Sequence, residues 1–287
     1  MATGIFATTS LARRIERAEA DLVRASAAAC ALRLGTDHVL SRDIAGGIAV
    51  FVQEGCPFNK VAGLGFDGVP SSETFDGLEA EFAARAASIR VEVSTLADPG
   101  VARALTQRGY ELAGFENVLG LALPADSISP TATSAGIVVS LASPDEGRTW
   151  LDVVTTGFLH PDTFDGPPST ETFAREELEQ VFNDMLNAKG MERYLARREG
   201  AIAGGGSLRV SDGIAMLSGA ATLPEHRKRG VQRALLIERL RLAGERGCDL
   251  AIVTTEPASK SQANVQRVGF TLLYPRAVLV KDAPRVQ

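Results

Sequence analysis

The sequence predicts a mixed α/β chain built from two repeated units, and three observations carry that reading. An apolar, strand-like run at 214–222 passes through a basic glycine turn into a long helical pattern. The same order of elements occurs again 160 positions earlier. A polar Ser/Thr/Pro-rich stretch separates the two copies.

The turn reads Leu223-Pro224-Glu225-His226-Arg227-Lys228-Arg229-Gly230-Val231-Gln232-Arg233. A strand, a glycine turn and a helix in succession present unpaired backbone N–H groups to a phosphate. Gly230 lets the main chain approach a ligand closely, while Arg227, Lys228, Arg229 and Arg233 add positive charge. The pattern points to a phosphate-bearing cofactor. Gly-x-x-x-x-Gly-Lys-Ser/Thr does not occur, which excludes a nucleotide P-loop. Gly204-Gly205-Gly206 reads as a flexible turn or bulge between strands.

Downstream, Leu250 to Thr255 is an apolar run with the character of a buried strand. Ser261-x-x-Asn264-x-x-x-x-Gly269-Phe270 then leads into a last strand, Leu272 to Val280. This order, over residues 136–282, resembles the GNAT N-acetyltransferases, whose motif A is Gln/Arg-x-x-Gly-x-Gly/Ala. Arg227-x-x-Gly230-x-Gln232 matches its first two fixed positions and departs at the third, where only the backbone donor is required.

The resemblance implies a mixed central sheet flanked by helices and acetyl-CoA as co-substrate, with no metal. Main-chain and side-chain groups of Arg227, Lys228, Arg229, Gly230, Val231, Gln232 and Arg233 would then cradle the pyrophosphate. Thr222 and Leu223 would supply the strand edge that polarises the thioester carbonyl, and Asn264 a bond to pantetheine or phosphate. For Asn264, helix capping is the equal alternative. The implied reaction is direct attack of a primary amine on the thioester, with a base taking its proton. Family members place a tyrosine acid four residues before the Gly-Phe glycine; here that residue is Val265. Glu256, just after a strand, Tyr274, on the last strand, and Glu225, before the turn, are the remaining catalytic candidates, Glu225 being alternatively an exposed carboxylate at the helix entry. Tyr274 is either a cleft-facing acid or a buried structural tyrosine. Absence of the usual acid keeps a second class open, a CoA-binding sensor or interaction module without catalysis.

With Gly109 laid on Gly269, the halves run in step. Arg90 to Thr95 falls on Leu250 to Thr255, the helix Glu73 to Ala87 on Arg233 to Gly247, and Val61-Ala62 on Ala221-Thr222. The basic turn faces Asp67-Gly68-Val69-Pro70-Ser71-Ser72, which has no cation and a proline without a donor. Asn264 faces Ala104. The N-terminal half therefore reads as a degenerate copy that keeps the packing and loses the cofactor.

The expected organisation is a degenerate domain at 1–123 with a leading helix, a linker at 124–135 and the acetyltransferase domain at 136–287. The leading helix carries Leu11, Ile15, Leu22, Ala25, Ala29 and Leu32 at helical spacing, a stripe for the core or for a homodimer contact. In the second half, helices are expected at 145–158 and 170–189. The loop between them carries Asp162, Asp165 and nearby Glu171, an acidic rim suited to a small-molecule or peptide amine or a plain solvated loop. A net charge of −5 over 287 residues argues against nucleic acid as the main partner. Cys30, Cys56 and Cys248 lack metal or disulfide spacing. No apolar run approaches the roughly 20 residues that span a bilayer. The reading is of a soluble, cytoplasmic protein.

Overall fold

The structure, a computed structural model, describes residues 5–124, 136–160 and 174–283. The described residues divide into two compact units. One is drawn from residues between Val118 and Leu273; the other from residues between Phe6 and Asn117, with Tyr274 onward.

The second of these begins with α1 (Thr9–Leu34), whose first turn is capped by the Thr8 side chain accepting from the Leu11 N–H. Gly35, at φ 87°, ends it. Ala12, Ile15, Leu22, Val23 and Ala29 are buried along one stripe, while Leu32 is 76% exposed and so lies off it. The sheet is formed by β1 (Leu40–Ile44), β2 (Gly47–Phe51), β3 (Lys60–Ala62) and β4 (Ile89–Ser94), ordered in sequence. β3 and β4 are parallel and joined through α2 (Ser72–Ala83); the remaining neighbours are antiparallel. α3 (Pro99–Gln107) follows, then β5 (Glu111–Ala122), which supplies this unit up to Asn117 and the other unit from Val118. Phe75, Leu78 and Phe82 of α2 and Val101 and Leu105 of α3 pack with Val91 and Val93 to form its core.

The unit between Val118 and Leu273 holds β6 (Ile137–Leu141), α4 (Gly147–Leu159), α5 (Arg175–Met185), β7 (Met191–Arg198), β8 (Ala201–Ser211) and β9 (Ile214–Thr222). α6 (Val231–Glu245), β10 (Leu250–Thr255) and α7 (Lys260–Gln266) complete it. Its strands run β10-β9-β8-β7-β6, antiparallel except for the parallel pair β9/β10. α6 lays Ala234, Leu235, Leu240 and Ala243 on Ala215, Leu217, Ala251 and Val253. α4 packs Trp150, Leu151 and Val154 with Leu195.

The last strand, β11 (Thr271–Lys281), pairs antiparallel with β4 from Arg276 to Lys281. Residues from Tyr274 therefore cluster with the first half, although the sequence reading carried the second domain to 287. Ladder pairing with β4, a long-range contact, decides this and leaves no trace in local periodicity.

The repeat is visible in hydrogen bonds. Gly109 N–H donates to Thr106 and Tyr110 N–H to Leu105; Gly269 donates to Gln266 and Phe270 to Val265. Gly109 (φ 81°) and Gly269 (φ 109°) both adopt a backbone conformation that favours glycine, and Tyr110 and Phe270 are both buried. The upstream strands depart from the expected ungapped match. Val61 pairs with Val91 and Ala215 with Ala251, so Val61 corresponds to Ala215 rather than to Ala221. The copy between Val118 and Leu273 has the longer strand, β9 running on to Thr222 where β3 ends at Ala62.

Where α1 crosses the first sheet it buries a charged network. Lys60 Nζ donates to Glu19 and Glu92 at 3.0 Å each, and Arg276 Nε donates to Glu16 Oε1 at 2.8 Å. Burial pushes the Glu16 carboxyl above its ordinary range despite Arg276 beside it. Removing one partner of a buried pair strands the others in low dielectric. Arg276→Met is therefore expected to cost about 3–5 kcal/mol, read as a fall in the urea midpoint. Adding Glu16→Gln to it should recover part of that loss.

Candidate functional site at the β9–α6 turn

β9 and β10 are parallel but pair only through Ile214–Leu250, Ala215–Ala251 and Met216–Ile252. β9 nevertheless continues to Thr222 and β10 to Thr255. The two strands part, and β9 beyond Met216 has no ladder to β10. On its other edge β9 carries a bulge against β8: Gly205 pairs with Ala221 and Ser207 with Ser218, so Gly206 faces both Gly219 and Ala220. Gly219 takes φ 58°, and the extra residue bends the strand where the split opens. The triple glycine read as a turn lies inside β8, opposite this bulge. A Cβ on Gly204 would stand 2.7 Å from the Ala221 carbonyl oxygen, so close backbone approach requires glycine there.

From the end of β9 the chain enters the turn. Leu223 N–H still donates to Ala203 O at 3.0 Å, and Pro224–His226 form one 3-10 turn. Lys228 (φ 58°) and Gly230 (φ 86°) then adopt left-handed conformations, and α6 starts at Val231. Such a conformation in a lysine is strained, a feature that concentrates at functional sites. Gly230 is the N-cap and provides no side-chain cap, so the leading N–H groups of α6 point outward at its positive end. Lys228, Arg229 and Arg233 are exposed around that end. Arg227 is half-buried and donates to the His160 carbonyl oxygen. Val231 is buried, and so contributes its backbone to the turn while its side chain packs in the core. Gln232 is half-buried at the first helical turn.

Two further groups sit at the carboxyl ends of the parting strands. Thr222 Oγ1 and Thr255 Oγ1 are buried without a hydrogen-bond partner among the described residues. An unpaired buried hydroxyl is costly, and each would gain from a bound hydrogen-bonding group. Thr255 was not singled out in the sequence; its signal is a hydroxyl ending an otherwise apolar strand. Glu256 follows it, exposed. In α7, Ser259 rather than Ser261 or Asn264 is the cap, accepting from Gln262 N–H. Asn264 is half-buried and accepts from Arg267 Nη1 at 3.1 Å. Val265 is buried in the core.

Tyr274 is placed elsewhere. It is 3% exposed, clusters with the first half, and donates its hydroxyl to Glu16 Oε1 at 2.9 Å. Burial, and after it the Glu16 charge, push the phenol up. Of the two alternatives for this residue, the buried structural tyrosine matches that geometry. His226 Nδ1 lies 3.2 Å from Arg198 Nη1. Asp162, Asp165 and Glu171 lie outside the described residues, as does 125–135 of the expected linker.

The parallel pair β9/β10 thus parts beside an uncapped, basic helix start. Residues 159–270 match the model of the acetyltransferase (GNAT) family. That segment, which holds the turn, α6, β10 and α7, is similar to the family.

Solved structures of the same fold extend over nearly the whole chain. A GCN5-related N-acetyltransferase from Kribbella flavida superposes with TM-score 0.62 at 19% identity, covering 91% of this chain and 96% of its own. A tandem GNAT protein from the clavulanic acid biosynthesis pathway gives TM-score 0.60 at 15% identity and covers 98% of both chains. A GCN5-related N-acetyltransferase from Sphaerobacter thermophilus gives 0.52 at 18%, covering 87% and 77%. No curated protein matches in sequence. The fold is that of two tandem GNAT-like units.

The first GNAT-like unit differs at the corresponding turn. There α2 is capped by its own Ser71, whose hydroxyl accepts from the Thr74 N–H at 3.2 Å. Asp67 nearby is paired with Arg13, and Glu73 occupies the first turn. The helix end that is open in α6 is thus closed and acidic in α2. Ser71→Ala should cost about 1 kcal/mol as a lost cap. Gly230→Ala should cost about 1–2 kcal/mol, because the left-handed conformation penalises a Cβ. Chemical denaturation of each variant reads both values.

Proposed function

We propose that the unit between Val118 and Leu273 binds acetyl-CoA and transfers its acetyl group to a primary amine by direct attack. The observation that carries this reading is the parting of β9 and β10 beside the uncapped start of α6. The chain's residues fit such a ligand: an open set of N–H donors with Lys228, Arg229 and Arg233 around it, and two orphaned hydroxyls at the carboxyl ends of the parting strands. When bound, acetyl-CoA supplies an activated thioester.

In this reading the backbone of residues 228–233 receives the pyrophosphate, as helix starts receive anions generally. Arg227, half-buried against His160 O, holds the turn in place as well as adding charge. The unpaired edge of β9 up to Thr222 orients the acyl carbonyl and donates to it as negative charge develops, whereas the Leu223 N–H, expected to take part, is occupied by Ala203 O. Asn264 lies on α7, the helix after β10, and completes the pocket for the arm. Glu256, exposed at the carboxyl end of β10, takes the proton from the incoming ammonium. Val265 is apolar and buried, so the leaving thiolate is protonated by solvent or by the acceptor's own released proton rather than by an α7 tyrosine. The first unit, with a capped α2, binds no CoA and serves as a degenerate copy. The reading also takes the chain to act in the cytoplasm; the α1 stripe, buried within its own unit, serves as core and not as a homodimer contact.

Calorimetric titration with acetyl-CoA is expected to give one site per chain at micromolar affinity. Gly230→Val should weaken it by a factor of ten or more. Two sites per chain would overturn the degenerate assignment, and no binding would overturn the cofactor assignment. With an amine identified by screening, Glu256→Gln should lower kcat by about 10²-fold or more and leave acetyl-CoA affinity intact. Binding with no turnover on any amine would favour the non-catalytic CoA-binding module.

A further inference from the structure

We propose that Arg239 is a positioning residue, which fixes the bulge of β9 and with it the course of the opposite, open edge along which the acyl-carrying arm of CoA lies. The inference rests on the reading of this unit as a CoA site and adds a residue that the phosphate turn does not include.

Arg239 lies in the middle of α6, where the sequence pattern of charges would place it in solvent. It is 1% exposed. Among the described residues no carboxylate lies within ion-pair distance of it, so its charge is spent on backbone. Nε donates to Leu235 O at 3.0 Å, and Nη1 donates to Ser207 O at 2.7 Å and to Ser218 O at 3.3 Å. Burial pulls its pKa down to about 10, so the guanidinium is still protonated at neutral pH.

The two strand carbonyls it binds flank the bulge. Gly206 faces Gly219 and Ala220, with Ser207 and Ser218 as the next pair. A bulge removes ladder partners, and the carbonyls around it need other donors. They have them: Trp150 Nε1 donates to Gly206 O at 3.2 Å, Ser207 Oγ to Ser218 O at 2.9 Å, and Arg239 to Ser207 and Ser218. Arg239, the only charged donor in this set, spans both strands. A guanidinium bonded to the Ser218 carbonyl also strengthens the donor of the same peptide, the Gly219 N–H.

The sequence makes room for this contact. A Cβ on Gly206 would come within 3.0 Å of Arg239 Cζ and Nη1. Glycine at that position leaves the guanidinium space to lie across the sheet. The bulge it holds begins three residues after β9 loses its partner at Met216, on the β8 side of the stretch whose open edge is assigned to the acyl arm. The phosphate turn at 228–233 belongs to the other end of the same ligand. Arg239 therefore acts on the arm and leaves the anion end unaffected.

The test compares two ligands, CoA and 3′-phospho-ADP, the second carrying the pyrophosphate without the pantetheine arm. Both are titrated calorimetrically into wild type, Arg239→Met, Arg239→Lys and Gly206→Ala. Arg239→Met is expected to weaken CoA at least tenfold while changing 3′-phospho-ADP less than twofold. Gly206→Ala, which leaves the arginine but displaces its guanidinium, should show the same pattern, and Arg239→Lys should restore part of the CoA affinity. CoA affinity within twofold of wild type in Arg239→Met would overturn the proposal. Equal weakening of both ligands would also overturn it, since that is the signature of general damage to α6. If Arg239→Met does not fold, Gly206→Ala and Arg239→Lys decide by the same ratio. Wild-type protein binding neither ligand would instead overturn the CoA reading itself.

Discussion

The candidate site depends on two parallel strands ceasing to pair. β9 and β10 share three residue pairs and then separate, although each continues for several residues. A parallel ladder normally satisfies its own backbone, so strands that part must hand their N–H and C=O groups to something else. One edge of β9 is held by β8 and the donors around the bulge; the other opens toward the split. The helix that follows begins with a glycine that caps nothing. A strand edge in want of partners thus leads directly into a helix end in want of an anion. An elongated ligand with a phosphate at one end and an amide-rich arm at the other answers both.

The first half shows the same elements with those demands removed. Its parallel pair is short, its β3 ends at Ala62 without the bulged extension, and its helix caps itself through Ser71. Its interior carries ionic contacts instead: Lys60, Glu16, Glu19, Glu92 and Arg276 are buried together. These charged groups face one another in the interior of the unit. Structural duplication and functional asymmetry are therefore consistent, because the fold is set by apolar periodicity and the site by a few turn residues.

Much of this was legible in the sequence, and the limits have physical causes. The basic turn, the Gly-Phe pair and the Gly-Tyr pair were readable because glycine conformation and capping are local properties. Tyr274 was open because its partner is Glu16, 258 positions away, and periodicity cannot report such a contact. Val61 was matched to Ala221 because an ungapped alignment cannot see that pairing ends at Met216. The triple glycine suggested a turn; inside β8 it provides close approach to Ala221 and Arg239 instead. Arg239 was invisible, since a charged residue within a helix pattern reads as solvent-facing until its carbonyl partners are known. Thr255 belongs to the same class: its unpaired hydroxyl is a property of three-dimensional placement.

Amide hydrogen exchange with and without acetyl-CoA tests the central claim most directly. The account expects slowed exchange at 217–222 and at 228–233, with no change at 63–72 in the first half. Protection at 63–72 equal to that at 228–233, or none along 217–222, would contradict it.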